Sequence, residues 1–103
     1  TSALALARQI VALVAANPVA GVFHGTNAGQ ATWHQFASAI VEPIAHHGSL
    51  AAVSSSAFPI VAARPTYSVL DHAEWSACGI ADMPHWRDAL KEIHSAIFDS
   101  VKE

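Results

Sequence analysis

The feature that most constrains the fold is the segment of residues 2–16, where apolar side chains surround nearly the whole circumference of a predicted helix. The segment is rich in Ala and Leu, and no helix breaker occurs before Asn17 and Pro18. Its long polar side chains, Arg8 and Gln9, are adjacent and occupy one narrow wedge. A helix that is apolar on most sides is usually buried on most sides, and one small domain hardly supplies that much cover. The segment therefore predicts a helix that packs against a further layer of protein.

The composition agrees with this prediction. Of the 103 residues, 52% are hydrophobic and only 13% are charged, whereas about a quarter are charged in a typical soluble domain. This shortage of charge indicates that part of the surface is normally covered, although a compact Ala-rich domain would give the same figure. The net charge is −3 and the five Lys and Arg residues are scattered. No basic surface follows a phosphate backbone, so nucleic acid is not an expected partner.

The sequence also bears on where the protein works. Cys78 is the single cysteine, so no internal disulfide is expected and a reducing, cytoplasmic compartment is favoured. The longest apolar run is interrupted by Arg8 and Gln9, and no membrane partner is expected because no run reaches the length of a bilayer span. The chain does not begin with Met, and residues 1–7 lack the pattern of a signal peptide. We therefore expect a processed product or a part of a larger polypeptide.

The remaining pattern predicts a mixed α/β fold in one lobe, residues 1–103, with no internal repeat. Thr32 and Gln35 have the spacing of a capping box, which predicts the start of a second helix. Pro43 is expected to kink or loosen that helix. The other predicted elements are strands at residues 21–24, 51–55 and 67–70, a short helix opened by Asp71 and closed by Gly79, and a last helix from Pro84.

Motifs for catalysis are absent from the sequence. Gly21, Gly25 and Gly29 are four apart, which is not the spacing of a dinucleotide-binding turn, and there is no P-loop or nucleophile elbow. Tyr67 is the only tyrosine. The residue four positions later is Asp71 rather than Lys, so the chain lacks a Tyr-Lys proton-transfer pair. The sequence therefore predicts no catalytic residue.

The histidines and tryptophans fit structural roles. His46 and His47 are adjacent and would point about 100° apart on a helix. No H-E-x-x-H motif occurs either, so no metal site is predicted. Trp33, Trp75 and Trp86 each lie on an apolar helical stripe, which favours core packing over stacking on a base or a sugar.

Unlike the histidines and tryptophans, Arg64 has no structural role that the sequence suggests. It lies between Ala63 and Pro65 in a predicted loop. A lone guanidinium held by a rigid Pro turn suits bidentate capture of a diphosphate or a carboxylate. An exposed loop arginine without a ligand is the alternative, and spacing alone does not decide between the two.

Five short motifs follow one another along the chain. They are GVFH at residues 21–24, GQATWHQFA at 29–37, SAFP at 56–59, ARPTYSVL at 63–70 and PHWRDAL at 84–90. Together they resemble the carboxy-terminal part of the dTDP-4-dehydrorhamnose reductase family, which belongs to the extended short-chain dehydrogenase/reductases. The resemblance extends from about residue 3 to residue 98, and it depends on the order and the gaps of the motifs.

This resemblance implies a small mixed α/β lobe that helps to bind a sugar nucleotide. In the family, an amino-terminal Rossmann domain binds NADPH or NADH and carries the catalytic Tyr and Lys, and the reaction reduces the C4 keto group of dTDP-4-dehydro-L-rhamnose. This chain resembles only the lobe, so it is expected to bind no cofactor and to be inactive alone. The match to R-P-x-Y-S-x-L implies that Arg64 contacts the diphosphate or a wall of its cleft. Tyr67 and Ser68 are further implied substrate contacts.

The resemblance also implies a partner domain. Residues 22–24 would add a strand to the sheet of the Rossmann domain, and the first helix would pack against that domain. Exposure of both favours self-association into a dimer or a larger species. Two alternatives keep the lobe but change its role: a non-catalytic, reductase-like binding or regulatory module, and the matching lobe of a sugar-nucleotide epimerase or dehydratase.

Overall fold

The computed structural model describes residues 1–43, 48–54, 56 and 61–99, and only the backbone of residues 95 and 97–99. The chain forms two compact units. The first unit joins Thr1–Gln30 to the segment that begins at Leu70, and the second unit is Ala31–Val69. The second unit is therefore an insertion within the sequence of the first. Predictions that concern the following residues lie outside the described part: His46, His47, Ser55 and residues 57–59.

Helix α1 comprises Ala3–Ala16 and confirms the first predicted helix. The hydroxyl of Ser2 caps it by accepting a hydrogen bond from the backbone N–H of Ala5 at 3.1 Å. At the other end, Asn17 adopts a left-handed conformation with φ of 45°, and its N–H donates to the carbonyl of Leu13. These two caps satisfy backbone groups that a helix otherwise leaves unpaired.

The face of α1 that lies in the core differs from the expected one. Gln9 is only 7% exposed, and its side-chain amide donates to the carbonyl oxygen of Ala81 at 2.8 Å. Ala5 is the other buried residue of this helix. The larger apolar side chains of α1 that are exposed are Leu4, Ile10, Val11 and Val14. Within this chain the helix thus buries a polar group and leaves much of its apolar surface outside.

The described residues contain no strand, so the predicted mixed α/β fold is not confirmed and the described part is helical. Residues 21–24 are irregular, and Val22 is 73% exposed. A strand needs a neighbour that completes its ladder of hydrogen bonds, and no described segment supplies one. Residues 51–54 and 67–70 have no strand pairing either. The one ladder contact in the described part is an isolated parallel bridge between Ala28 and His85.

Helix α2, Trp33–Val41, lies in the second unit and confirms the capping box. The Thr32 hydroxyl accepts from the N–H of Gln35 at 3.1 Å, and the Gln35 side-chain oxygen accepts from the N–H of Thr32 at 2.8 Å. Glu42 is the carboxy-terminal cap. The helix therefore ends before Pro43 instead of kinking at it, because proline has no N–H to continue the hydrogen-bond ladder.

The first unit contains two further helices, α3 at Ala73–Ala77 and α4 at Trp86–Asp99. The amino-terminal cap of α3 is His72, which makes no side-chain cap hydrogen bond, so the predicted carboxylate cap is not confirmed. Asp71 lies one residue earlier, and its Oδ1 accepts from the N–H of Ala73 at 3.2 Å. Gly79 ends α3 as predicted, with φ of 72°. The buried apolar core of the described residues consists of Ala5, Trp75, Ile80, Met83 and Ala89.

Asn27 connects separate parts of the first unit. Its side chain is buried, with Oδ1 accepting from the N–H of Ser2 at 2.8 Å and Nδ2 donating to the carbonyl of Pro84 at 3.0 Å. The same carbonyl accepts from the N–H of Ala28, and the carbonyl of Ala28 accepts from the N–H of Trp86, both at 3.0 Å. The start of α1 and the start of α4 are thus fixed to one loop.

Candidate functional site

The segment that carries Arg64, Tyr67 and Ser68 belongs to the second unit and has no regular secondary structure. All three residues are exposed. The guanidinium of Arg64 forms no hydrogen bond or ion pair with the described residues. The structure therefore places the three predicted site residues on one short exposed segment, and it leaves the cation at Arg64 unneutralised by its described neighbours.

This arrangement suits an anionic ligand. A guanidinium presents a planar fork of N–H donors that matches two oxygens of a phosphate. Pro65 fixes its own φ and disfavours a helical conformation at Arg64, which restricts the backbone directly beside the cation. Tyr67 and Ser68 each add a hydroxyl that donates and accepts hydrogen bonds. The segment thus has donors for a phosphate and further groups for the polar edge of a base or a sugar.

A second group of residues meets where the chain returns from the second unit to the first. We call it the histidine clamp: His24, Thr26, Asp71, His72 and Trp75. The ring of His24 lies with Nδ1 2.9 Å from the carbonyl oxygen of Asp71. The hydroxyl of Thr26 is hydrogen-bonded to Nε2 of His72. The indole N–H of Trp75 donates to the carbonyl of His24 at 3.0 Å.

An aromatic contact in the core stabilises the histidine clamp. Trp75 is 3% exposed, and its ring centroid lies 4.9 Å from that of Phe23. Residues 23–26 are therefore held against residues 71–75 by side chains, although no backbone ladder joins the two segments. Burial of Trp75 confirms the core role predicted for it. The core role predicted for Trp33 is not confirmed, since its side chain is 85% exposed at the start of α2.

The clamp was not found in the sequence. His24 is the last residue of the strand predicted at residues 21–24, and Thr26 stands two positions later, in the turn that follows. Asp71 and His72 stand side by side at the start of a predicted helix. Their partners lie 47 and 46 residues away. The available signal was the alternate spacing of His24 and Thr26, which places two polar side chains on one side of the chain wherever the backbone is extended.

The described residues do not fit a dinucleotide cofactor. Such a turn needs a strand that leads through closely spaced glycines into a helix, and residues 21–30 are preceded by no strand and contain glycines at every fourth position. The space beside Gly25 is filled by a side chain, because a Cβ on this residue would lie 2.6 Å from Cδ1 of Leu6. No catalytic step is therefore derived for these residues through such a cofactor.

In the described ranges, no three His, Cys, Asp or Glu side chains come close enough together to hold a metal ion. Of the helices in the described part, none combines the length and the apolar character that crossing a bilayer requires.

Comparison with known proteins identifies the family. Residues 1–98 match the RmlD substrate binding domain, and the chain belongs to that family. The resemblance drawn from the five motifs is therefore confirmed. No solved structure matches the chain significantly.

Curated relatives extend the comparison. The dTDP-4-keto-6-deoxy-D-glucose reductase of Streptomyces niveus is 41% identical over 88 residues, which make up 84% of this chain and 30% of that protein. The dTDP-4-dehydrorhamnose reductase of Streptomyces griseus is 37% identical over 93 residues, 89% of this chain and 31% of that protein. The chain thus spans just under a third of the length of these relatives.

Proposed function

We propose that this chain is the dTDP-binding lobe of an oxidoreductase that reduces the C4 keto group of a dTDP-sugar, as in the formation of dTDP-L-rhamnose in the cytoplasm. The observation that carries the proposal is the match of residues 1–98 to a substrate binding domain. The exposed Arg64 in the R-P-T-Y-S-V-L motif supplies a group for the ligand. The names of both relatives contain dTDP and differ in the sugar. We therefore name dTDP as the nucleotide of the ligand and name no particular sugar.

In this proposal Arg64 pairs with the diphosphate, while Tyr67 and Ser68 contact the nucleotide or the sugar. A hydrogen bond to a charged group contributes about 1.5–3 kcal/mol, and a bidentate pair also fixes the direction of the ligand. Loss of Arg64 should therefore weaken dTDP binding by about 10- to 100-fold.

The chemistry of reduction belongs, in the proposal, to a Rossmann domain that binds NADPH or NADH and lies outside this chain. In this proposal residues 1–103 serve as the substrate-binding part of that enzyme and have no reductase activity alone. The exposed apolar side chains of α1 support the need for a partner layer, since contiguous apolar surface normally marks an interaction site. Without that domain the same surface favours association of the chain with itself.

The first test is an NMR titration of the chain with dTDP in which each backbone amide is followed. The proposal predicts saturable shifts that cluster at Arg64, Tyr67 and Ser68, and their loss in Arg64→Ala. Arg87→Ala is the matched control, because it removes the same charge from an exposed arginine whose guanidinium lies 4.6 Å from the Trp86 ring centroid in the first unit. Equal loss of binding in both variants would indicate a general effect of charge and would contradict the assignment of Arg64.

The second test asks whether the chain serves a reductase. The 88-residue matching region of the Streptomyces niveus protein is replaced by the corresponding region of this chain, and oxidation of NADPH or NADH is measured with a 4-keto dTDP-sugar. The proposal predicts activity that Arg64→Ala lowers mainly through KM. A folded chimera that still binds its cofactor but reduces no dTDP-sugar would overturn the proposal and would favour a non-catalytic binding module.

A further inference from the structure

We propose that His85 is a pH-dependent cap of α4. Its neutral imidazole holds the first turn of the helix, and uptake of a proton by the ring removes that hold. The proposal concerns the first unit alone. It goes beyond the proposed function and does not depend on it, because no ligand takes part.

His85 forms the two hydrogen bonds of a residue that caps the start of a helix. It immediately precedes α4, and its carbonyl accepts from the N–H of Ala89 at 3.0 Å. Its ring accepts at Nδ1 from the N–H of Arg87 at 3.1 Å. The first N–H groups of a helix have no partner within the helix. The imidazole therefore has the role that the side-chain oxygen of Ser, Thr, Asp or Asn commonly has at this position.

Neighbouring groups fix the ring of His85 in this position. One edge of the imidazole lies against Gly29, since a Cβ on that glycine would meet the ring. The ring also stacks on the indole of Trp86, with ring centroids 5.7 Å apart and an angle of 30° between the planes. The backbone of His85 pairs with Ala28 in the parallel bridge. The capping bond is therefore supported by packing on either side of it.

The capping bond requires a neutral ring. A backbone N–H only donates, so Nδ1 of His85 is the acceptor and carries no proton, and the proton of the neutral ring is at Nε2. A second proton goes to Nδ1, turns that nitrogen into a donor and leaves the N–H of Arg87 without its acceptor. It also places a positive charge at the positive end of the dipole of a 14-residue helix. Both effects act against the cap.

His24 has the opposite requirement within the same unit. Its Nδ1 lies 2.9 Å from the carbonyl oxygen of Asp71, which only accepts, so this nitrogen carries a proton. A second proton goes to Nε2 of His24 and leaves the bond to Asp71 in place. Both histidines bond to the backbone through Nδ1, but protonation breaks the bond of His85 and keeps that of His24.

The charged groups near His85 are arginine and aspartate side chains. Arg87 and Asp88 lie in the first turn of α4, and Asp82 lies three residues before His85. The loop that packs against the ring, residues 25–30, has no ionisable side chain. Histidine is the type of side chain that changes its charge between about pH 5 and 8, whereas Arg and Asp ordinarily keep theirs in that range. The cap therefore contributes stability at the upper end of the range, and this stability is lost as the pH falls.

The experiment compares the unmodified chain with His85→Asn, whose side-chain oxygen accepts a hydrogen bond whatever the pH. His24→Asn is the matched control, because it replaces a histidine of the same unit whose bond does not need a neutral ring. Urea unfolding at about pH 8 and about pH 5 gives the folding equilibrium constant of each chain at both ends of the range. In the unmodified chain, NMR follows the ring ¹⁵N shifts of His85 and the amide ¹H shift of Arg87 over the same range.

Between the two pH values, the folding constant of the unmodified chain should fall about fivefold further than that of His85→Asn, the effect of one lost cap. The other histidines contribute alike to both chains, so the difference isolates position 85. His24→Asn should show the same fall as the unmodified chain. NMR should show an unprotonated Nδ1 at the higher pH, and the amide shift of Arg87 should change together with the ring shifts of His85.

A proton on Nδ1 of His85 at the higher pH would overturn the proposal, and so would an Arg87 amide that does not follow the ring. Equal pH dependence in the unmodified chain and His85→Asn has the same meaning. If His24→Asn reduces the pH dependence as much as His85→Asn does, the effect belongs to any histidine of the unit and the proposal fails. If His85→Asn does not fold, the two NMR signatures in the unmodified chain decide: the proposal requires both, and the absence of either overturns it.

Discussion

The imidazole of His85 occupies the space that a Cβ atom on Gly29 would need. Gly29 has φ of 83°, a conformation that residues with a side chain rarely adopt. The ring of His85 is itself fixed, because its Nδ1 accepts from the N–H of Arg87 at 3.1 Å. Two independent constraints thus require glycine at position 29, one from the backbone and one from the neighbouring ring.

Gly29→Ala should therefore lower the free energy of unfolding by about 2–4 kcal/mol, from left-handed strain together with overpacking against His85. Gly79→Ala is the control, since Gly79 has φ of 72° but open space where its Cβ would lie; it should lose only about 1–2 kcal/mol. Urea unfolding measures both. Equal losses would show that the contact with His85 has no energetic weight.

Gln9→Leu tests the polar group that α1 places in the core. It removes the donor to the Ala81 carbonyl, and leaving a partly buried carbonyl without a partner costs about 1–3 kcal/mol. Arg8→Ala is the neighbouring control, because the Arg8–Glu92 ion pair is exposed and such pairs contribute about 0–1 kcal/mol. Chemical denaturation of the two variants gives the comparison. A more stable Gln9→Leu chain would mean that apolar burial outweighs this hydrogen bond.

Trp75→Phe should destabilise the first unit by about 1–3 kcal/mol, because the variant loses volume in the core and leaves the His24 carbonyl without its indole donor. Trp33→Phe is matched in chemistry but lies at an exposed position, and we expect a change below about 0.5 kcal/mol. Thermal unfolding followed by circular dichroism distinguishes the two. A large loss in Trp33→Phe would show that its side chain is covered in solution.

Thr32→Ala removes the hydroxyl that caps α2 and should cost about 1 kcal/mol of helix stability. Because the loss is confined to the second unit, amide hydrogen exchange should become about fivefold faster in α2 and stay unchanged in α4. Ser38→Ala serves as the control, since its hydroxyl bonds the carbonyl of His34 within the helix and caps nothing. Equal acceleration in both variants would argue against the cap as the cause.

The exposed apolar face of α1 predicts that this chain associates with itself at high concentration. The double variant Val11→Glu and Val14→Lys keeps the net charge and places two charged groups on that face, so it should shift the chain to a monomer in light scattering. Val61→Lys is the control, because Val61 is exposed in the second unit. A monomeric unmodified chain at high concentration would contradict the prediction.

Local signals in the sequence were sufficient for several elements. The capping box of Thr32 and Gln35, the end of α1 at Asn17 and the turn at Gly79 depend on residues within a few positions of one another. The strand at residues 21–24 could not be judged in this way, because a strand exists only with a partner that lies elsewhere. The bond from Gln9 to Ala81 spans 72 residues, and no local pattern marks it.

The same distinction applies to the candidate site. Arg64, Tyr67 and Ser68 belong to one local motif, and the structure places them on one exposed segment. The histidine clamp was missed because each of its contacts joins residues more than forty positions apart. Its members have no special local spacing, so only the folded chain brings them together.

The position of the second unit inside the sequence of the first has a consequence for biosynthesis. Thr1–Gln30 leaves the ribosome before Ala31–Val69, yet α1 lacks its partners until α4 has also been made. During translation the buried side of α1, which carries Ala5 and Gln9, is therefore uncovered for the time needed to synthesise the rest of the first unit. The second unit, whose residues are contiguous, is the part able to fold first, and the first unit closes only when its last helix emerges.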